Sequence, residues 1–168
     1  MMRQSEYLMG IVKEYLDLAR LESGEVRTSC RPVDLVKEVL TPALDLVEAL
    51  AQEKRITVET DLPDAAEVEC DPDLLKVVLV NLLSNGIKYG VEDGALRLHC
   101  TAAPTGVVIS VWNAGPGFAE GERNKLFRKF SRLSSPELMK RKGTGVGLYN
   151  AWKIVQLHGG KITAASQE

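Results

Sequence analysis

The sequence predicts an α/β chain of the α+β kind: a two-layer sandwich in which a mixed, mostly antiparallel sheet carries its helices on one face, preceded by a separate bundle-type helix. Three observations predict it. Helical and strand periodicities alternate along the chain, yet consecutive strand segments lie close enough to pair directly, whereas a doubly wound parallel sheet needs a helix between most strands. The first segment, 1–22, carries a wide apolar stripe that nothing of its kind nearby in sequence can cover. Finally, 168 residues make about one domain with a short appendage, enough to hide roughly two-thirds of the unfolded surface without staples.

Composition narrows the function classes. Hydrophobic content of 45% and charged content of 26% exclude a disordered, collagen-like or low-complexity chain. A net charge of -2 excludes binding of nucleic acid by bulk charge. Cys30, Cys70 and Cys100 are odd in number, lack metal-ligand spacing and imply no disulfide framework, which suits a reducing, cytoplasmic setting. No run approaches the ~18 apolar residues of a membrane span, and Met1-Met2-Arg3-Gln4-Ser5-Glu6 lacks signal-peptide architecture. No membrane contact is expected of this segment, although a parent chain can carry an anchor upstream.

In segment 1–22, Leu8, Ile11, Tyr15 and Leu18 step by three and four, and Val12, Leu16 and Ala19 widen the stripe. Ser23-Gly24 stops the helix. Its partner is expected to be another chain, an upstream helix, or both. Segment 25–33 reads as extended. A helix over 34–52 turns Leu35, Val36, Val39, Leu40, Leu44, Val47 and Leu50 inward, and Pro42 predicts a kink or restart near Thr41. Strands follow at 55–60 and 66–70. Asp71-Pro72-Asp73 starts a helix running to about Tyr89, with Asp71 as N-cap, Pro72 at the first helical position and Asp73 facing the positive dipole end. Segments 95–103 and 106–112 read as a hairpin. A long stretch, 113–142, leads to a helix over 143–158 and a last strand over 161–165. No internal repeat is present.

Four stretches carry candidate chemistry. The 73–89 helix is apolar almost all round, and therefore buried, yet Asn81, Asn85 and Lys88 share one stripe. A buried amide without a partner costs about 1–3 kcal/mol. Such a stripe is either a hydrogen-bonded core pair with a snorkelling lysine or a site for a ligand with oxygens and a metal ion. Asn113-Ala114-Gly115-Pro116-Gly117 ends an apolar strand, placing the Asn113 amide at a sheet edge. Gly143-Thr144-Gly145-Val146-Gly147-Leu148 exposes backbone N–H groups at a helix start, which suits phosphate, although it is neither a Walker loop nor a dinucleotide fingerprint. Between them, Arg123, Lys125, Arg128, Lys129, Arg132, Lys140, Arg141 and Lys142 form either a solvated face or a basic flap over phosphates.

Taken in order, Asn81-Leu82-Leu83-Ser84-Asn85-Gly86-Ile87-Lys88-Tyr89, Asn113-Ala114-Gly115-Pro116-Gly117-Phe118, Leu126-Phe127-Arg128-Lys129-Phe130 and Gly143-Thr144-Gly145-Val146-Gly147-Leu148 resemble the N, G1, F and G2 boxes of sensor histidine kinases. Those catalytic domains share the GHKL (Bergerat) ATP-binding fold of gyrase B, Hsp90 and MutL. The resemblance covers about Pro32 to the C-terminus. The first helix resembles the second helix of the family's dimerisation hairpin, so 1–24 would be part of that hairpin. Residues 25–168 would be the ATP-binding domain, truncated before a further strand.

The resemblance implies the site. Asn85 would bind the Mg²⁺ that bridges the phosphates. Asn81 would stand where related ATPases carry a glutamate base, and Lys88 would contact phosphate. Tyr89 would pack on adenine, and Gly115, Gly117 and Phe118 would line the base site. Asn113 stands where the family most often has Asp; its oxygen can accept from the adenine amino group, in a weaker bond than a carboxylate makes. Gly143, Thr144, Gly145, Val146, Gly147 and Leu148 would serve the phosphates, and 118–142 would be an ATP lid, variable without nucleotide.

The implied activity is transfer of the γ-phosphoryl of ATP to a histidine upstream of Met1. His99 and His158 read as structural, so this fragment is not expected to autophosphorylate. Implied partners are ATP, the upstream dimerisation helix, a homodimer partner and a response-regulator receiver domain, without nucleic acid. Rival readings are an ATPase or clamp protein, disfavoured by Asn81; an anti-sigma-type serine kinase of the same fold; and a non-catalytic nucleotide-binding or dimerisation module.

Overall fold

The computed structural model describes residues 2–132 and 143–167. They fall into two compact units: Thr28–Gly117 with the last two residues, and Met1–Arg27 together with Phe118–Ser166.

The first unit holds β1 (Arg31–Asp34), a π-helical turn (Val36–Leu40), α2 (Thr41–Glu53), β2 (Thr57–Asp61), β3 (Glu67–Cys70), α3 (Pro72–Tyr89), β4 (Ala95–Ala103) and β5 (Gly106–Asn113). A three-stranded sheet has the order β2-β4-β5, and β1 pairs with β3 in a separate two-stranded sheet. β4 and β5 form the expected hairpin, with Ala103 opposite Gly106 and Leu96 opposite Asn113. β2 runs parallel to β4, with Thr57 opposite Ala95. The sequence reading paired neighbouring strands, but β2 and β3 do not pair. β3 takes β1 instead, with Val33 opposite Val68 in a segment expected only to be extended. α3, between β3 and β4, supplies the crossover that a parallel pair requires.

Helices α2 and α3 pack together, and α3 contacts β4 and β5. Leu96, Leu98 and Cys100 of β4 are buried, while Arg97, Thr101, Val108, Ser110 and Trp112 of the same sheet are exposed. One face is thus covered by helices and the other open. On the open face Arg97 Nε donates to Glu59 at 2.6 Å and its guanidinium lies over the Trp112 ring. His99 Nδ1 lies 2.8 Å from an Asp61 carboxylate oxygen.

Pro42 acts as expected. Its ring would clash with the carbonyl four residues back, and the chain widens ahead of it into a π turn in which Thr41 N–H reaches the Val36 carbonyl. α2 then restarts at Thr41. Its buried stripe is Ala43, Val47 and Ala51, so Leu50 points outward, at 46% exposure, against expectation. α3 likewise is not buried all round. Val78, Leu79, Leu83, Gly86 and Ile87 face the core, but Val77 is 42% exposed, because a two-layer sandwich covers a helix on one side only.

The end of α3 is unusual. Gly90 follows it at φ -62, ψ 155, extended rather than left-handed, so the common αL closure that recovers the last carbonyls is not used. Lys54, just past α2, supplies the donors. Its ammonium donates to the carbonyls of Ile87 (2.9 Å), Lys88 (2.8 Å) and Gly90 (3.2 Å), and its charge suits the negative helix end. Beyond it, Val91 N–H donates to Ala114 O, and Ala114 N–H to Ala95 O, both at 2.9 Å.

The second unit holds α1 (Met2–Ser23), a 3-10 helix (Glu120–Lys125) and α4 (Gly147–Leu157). α1 packs against α4, a partner from its own chain that the sequence did not announce. Leu18 is buried, while Met9, Val12 and Leu16 are more than half exposed; the side chains of Leu8 and Ile11 lie outside the described residues. α4 begins four residues later than expected, because Gly145 at φ +72 cannot continue a right-handed helix. No strand forms at 161–165, which finds no ladder partner among the described residues. His158 Nδ1 lies 2.8 Å from Ile154 O at the end of α4.

Segment 118–132, the described part of the expected lid, makes several contacts within its own unit; 133–142 lies outside the described residues. Tyr15 stacks on Phe130 at a 5.9 Å centroid separation. Lys129 Nζ lies 2.5 Å from Glu22 Oε1, which also accepts from Tyr149 OH at 3.2 Å. Phe130 N–H donates to Gly145 O at 3.0 Å. Arg123 and Lys125 pair with Glu120 and Glu122. These cations have carboxylate partners that the sequence reading did not foresee.

Two outcomes follow. Lys54→Met should cost about 2 kcal/mol, the scale of charge-assisted hydrogen bonding lost at a helix end, read as a lower urea midpoint at unchanged slope. An unchanged midpoint would mean that water serves the three carbonyls equally well. Hydrogen bonding to Lys129 holds the Glu22 carboxyl below the ordinary glutamate value. This lowered value makes the tether complete above the ordinary range and lost as pH falls through Glu22's own midpoint. A carboxyl NMR titration should give a depressed midpoint for Glu22 that rises in Lys129→Ala.

Candidate functional site

Asp71 sets the phase of the helix that carries the site. Its Oδ1 accepts from Asp73 N–H and Leu74 N–H, both at 3.1 Å, and its Oδ2 from Ser29 N–H at 2.8 Å. With α3 so started, Leu79, Leu83 and Ile87 face the core, and Asn81, Asn85 and Lys88 stand half-buried on another side. Ser84 Oγ donates to the Asn81 backbone carbonyl at 3.3 Å, but neither the Asn81 nor the Asn85 side-chain amide makes a hydrogen bond among the described residues. Lys88 Nζ lies over the Tyr89 ring, 5.0 Å from its centroid. The same turn is held by Lys54, so Lys88 and Tyr89 project from a clamped backbone.

Asn113, at the end of β5, meets this helix through two glycines. A Cβ at Gly86 would stand 2.5 Å from Leu96 Cδ1 and 3.8 Å from Asn113 Oδ1. A Cβ at Gly115 would stand 2.8 Å from Tyr89 O and 2.9 Å from Asn113 Nδ2. Any side chain at either position would press on the helix, the strand or the Asn113 amide. That amide is half-buried and makes no hydrogen bond among the described residues. Gly117 turns the chain away at φ +65.

The unit Thr28–Gly117 therefore brings together Asn81, Asn85, Lys88, Tyr89, Asn113, Gly115 and Gly117. Phe118, Gly143, Thr144, Gly145, Val146, Gly147 and Leu148 belong to the other unit. There, Phe118 N–H donates to Ser166 Oγ at 3.1 Å. α4 starts at Gly147 with Val146 buried before it, an N-cap residue whose apolar side chain cannot accept from the first N–H groups. Gly145 also has a packing role: a Cβ there would stand 2.8 Å from Ser131 O and 2.9 Å from the Phe130 carbonyl carbon.

Sequence reasoning missed Lys54 and Gly86. Glycine inside an apolar helix signals a close approach, so Gly86 was discoverable. Lys54 had no signal, because its acceptors lie more than thirty residues away. Among the described residues no helix is long and apolar enough to cross a membrane.

Comparison with known proteins gives one answer. Residues 70–168 match the family described as histidine kinase-, DNA gyrase B-, and HSP90-like ATPase. The sensor histidine kinase TmoS of Ectopseudomonas mendocina is 31% identical over 97% of this chain, which spans only 17% of that relative. The crystal structure of full-length ShkA in complex with AMPPNP superposes with a TM-score of 0.84 at 26% identity, over 98% of this chain and 34% of that one. Histidine kinase ThkA in complex with the response regulator TrrA gives a TM-score of 0.77 at 28% identity, over 99% of this chain and 46% of that one. The chain belongs to the histidine kinase-, DNA gyrase B- and HSP90-like ATPase family, and its kin within it are the catalytic, ATP-binding domains of sensor histidine kinases.

Proposed function

We propose that the chain binds Mg-ATP and acts as the catalytic domain of a two-component sensor histidine kinase, passing the γ-phosphoryl group to a histidine nitrogen on a dimerisation helix outside residues 1–168. The observation that carries this reading is the pair of half-buried amides, Asn81 and Asn85, that share a stripe of α3 with Lys88 and have no side-chain partner among the described residues. They suit a ligand rich in oxygen and metal better than a packed core.

The Asn85 oxygen is a hard neutral donor. It fits a Mg²⁺ ion, which keeps several waters and takes one or two protein ligands beside phosphate oxygens. Among the described residues no cluster of three His, Cys, Asp or Glu could cage a metal. When bound, the ion supplies neutralisation of the phosphate charge. Lys88 adds a positive charge from a backbone that Lys54 holds still. Asn81 cannot accept a proton from water as a carboxylate would, so hydrolysis is disfavoured relative to transfer.

Tyr89 packs on the adenine, Asn113 reads its amino group, and Gly115, Gly117 and Phe118 line the base. The backbone of Gly143, Thr144, Gly145, Val146, Gly147 and Leu148 serves the phosphates, aided by the positive end of α4. Residues 1–24 act as the second helix of a dimerisation hairpin, whose exposed Met9, Val12 and Leu16 await an upstream helix or a second copy. The complex of ThkA with its response regulator supports a receiver domain as the downstream partner.

Titration of a fluorescent ATP analogue should show saturable binding that strengthens with Mg²⁺. Asn85→Ala should weaken it by at least about tenfold, as losses at metal shells do; binding indifferent to that change would refute the site. Incubation with γ-labelled ATP should leave no acid-labile, base-stable label on this chain, since His99 and His158 are engaged in structural contacts. Labelling at either would overturn the assignment of an external acceptor.

A further inference from the structure

Asn113 is held by the sheet, and its side chain is half-buried. Its backbone pairs with Leu96 at the end of the β4–β5 ladder, so its Cα does not move independently of the sheet. Its amide lies between two residues that lack side chains, with Nδ2 on the side of Gly115 and Oδ1 on the side of Gly86. A side chain at Gly115 would crowd Nδ2, and one at Gly86 would come into contact with Oδ1. Among the described residues no hydrogen bond holds the amide in one orientation. A half-turn about the Cβ–Cγ bond exchanges N–H donor and carbonyl acceptor within an almost unchanged shape.

We propose that Asn113 makes the base site tolerant of the substituent at purine position 6, so that 6-oxopurine nucleotides bind alongside 6-aminopurine ones. The inference rests on the nucleotide-binding reading above and specifies its substrate class. An amino group at C6 donates, and Oδ1 accepts it. An oxo group at C6 accepts, and Nδ2 donates to it after the half-turn. The neighbouring ring nitrogen N1 changes in step: it is an acceptor in adenine and an N–H donor in the 6-oxopurines. The same two amide atoms, in exchanged order, therefore satisfy either base. A carboxylate at this position would offer acceptors alone and would set a negative charge against the 6-oxo group. Strong discrimination arises when the wrong ligand leaves a site's polar groups unpaired, and the rotating amide removes that condition.

The test is calorimetric binding of ADP and of inosine diphosphate to the full 168-residue chain with Mg²⁺. Inosine diphosphate carries the 6-oxo group without the 2-amino group of guanine, which isolates the position in question. The native chain should bind the two within about thirtyfold of each other. Asn113→Asp should widen the ratio by at least about tenfold, through weaker binding of inosine diphosphate. A larger native preference for ADP, or an unchanged ratio in the variant, would overturn the proposal. If Asn113→Asp does not fold, the native ratio decides alone. Failure of the native chain to bind either diphosphate would instead bring down the nucleotide-binding reading on which the inference stands.

Discussion

Helix α3 ends at Tyr89 with an extended glycine after it, and the carbonyls this leaves over are gathered by one ammonium, that of Lys54. Much of the Thr28–Gly117 unit converges there. The end of α2 is tied to the end of α3. The chain beyond Gly90 then turns directly into the hydrogen bonds with Ala114 and, through it, Ala95. A left-handed closure would have satisfied the same carbonyls locally but sent the chain elsewhere. With the cation in place, Lys88 and Tyr89 leave a helix end fixed on both sides, by Lys54 and by the Asn113–Gly115 segment.

The second constraint is absence of side-chain volume. Gly86 lets α3 approach Leu96 and Asn113, and Gly115 lets the β5 end approach Tyr89. Against these bare positions stand three amides, Asn81, Asn85 and Asn113, none with a side-chain hydrogen bond among the described residues. A fold that relied on these amides for stability would have paired them. Half-buried and open to water, they add little to the packing of the fold and are understandable as groups available to a ligand.

In the other unit, residues that the resemblance assigns to a nucleotide lid make contacts with α1. Lys129 and Phe130 bind Glu22 and Tyr15 of α1, and Gly145 lies against the Phe130–Ser131 backbone. Basic side chains that could face phosphates have carboxylate partners without any ligand. For the family's chemistry, a nucleotide that drew these cations would have to compete with Glu22 and Glu120, which are exposed and therefore weak rivals, and with the more covered Glu122.

Elements whose cause is local were legible in the amino-acid order. The N-cap of α3 follows from Asp71-Pro72-Asp73, the restart of α2 from the missing N–H of Pro42, the hairpin from alternation around a turn, and the amide stripe from the helical period. Each depends on residues within a turn or two. Tertiary structure alone decided that β2 pairs with β4 rather than β3, that 161–165 forms no strand, that Leu50 faces out while Ala51 faces in, that α1 rests on α4, and that Lys54 closes α3. Strand pairing and helix docking are settled by which surfaces meet in space. An ammonium finds its acceptors through the fold rather than through the chain, so no spacing in the sequence could encode it.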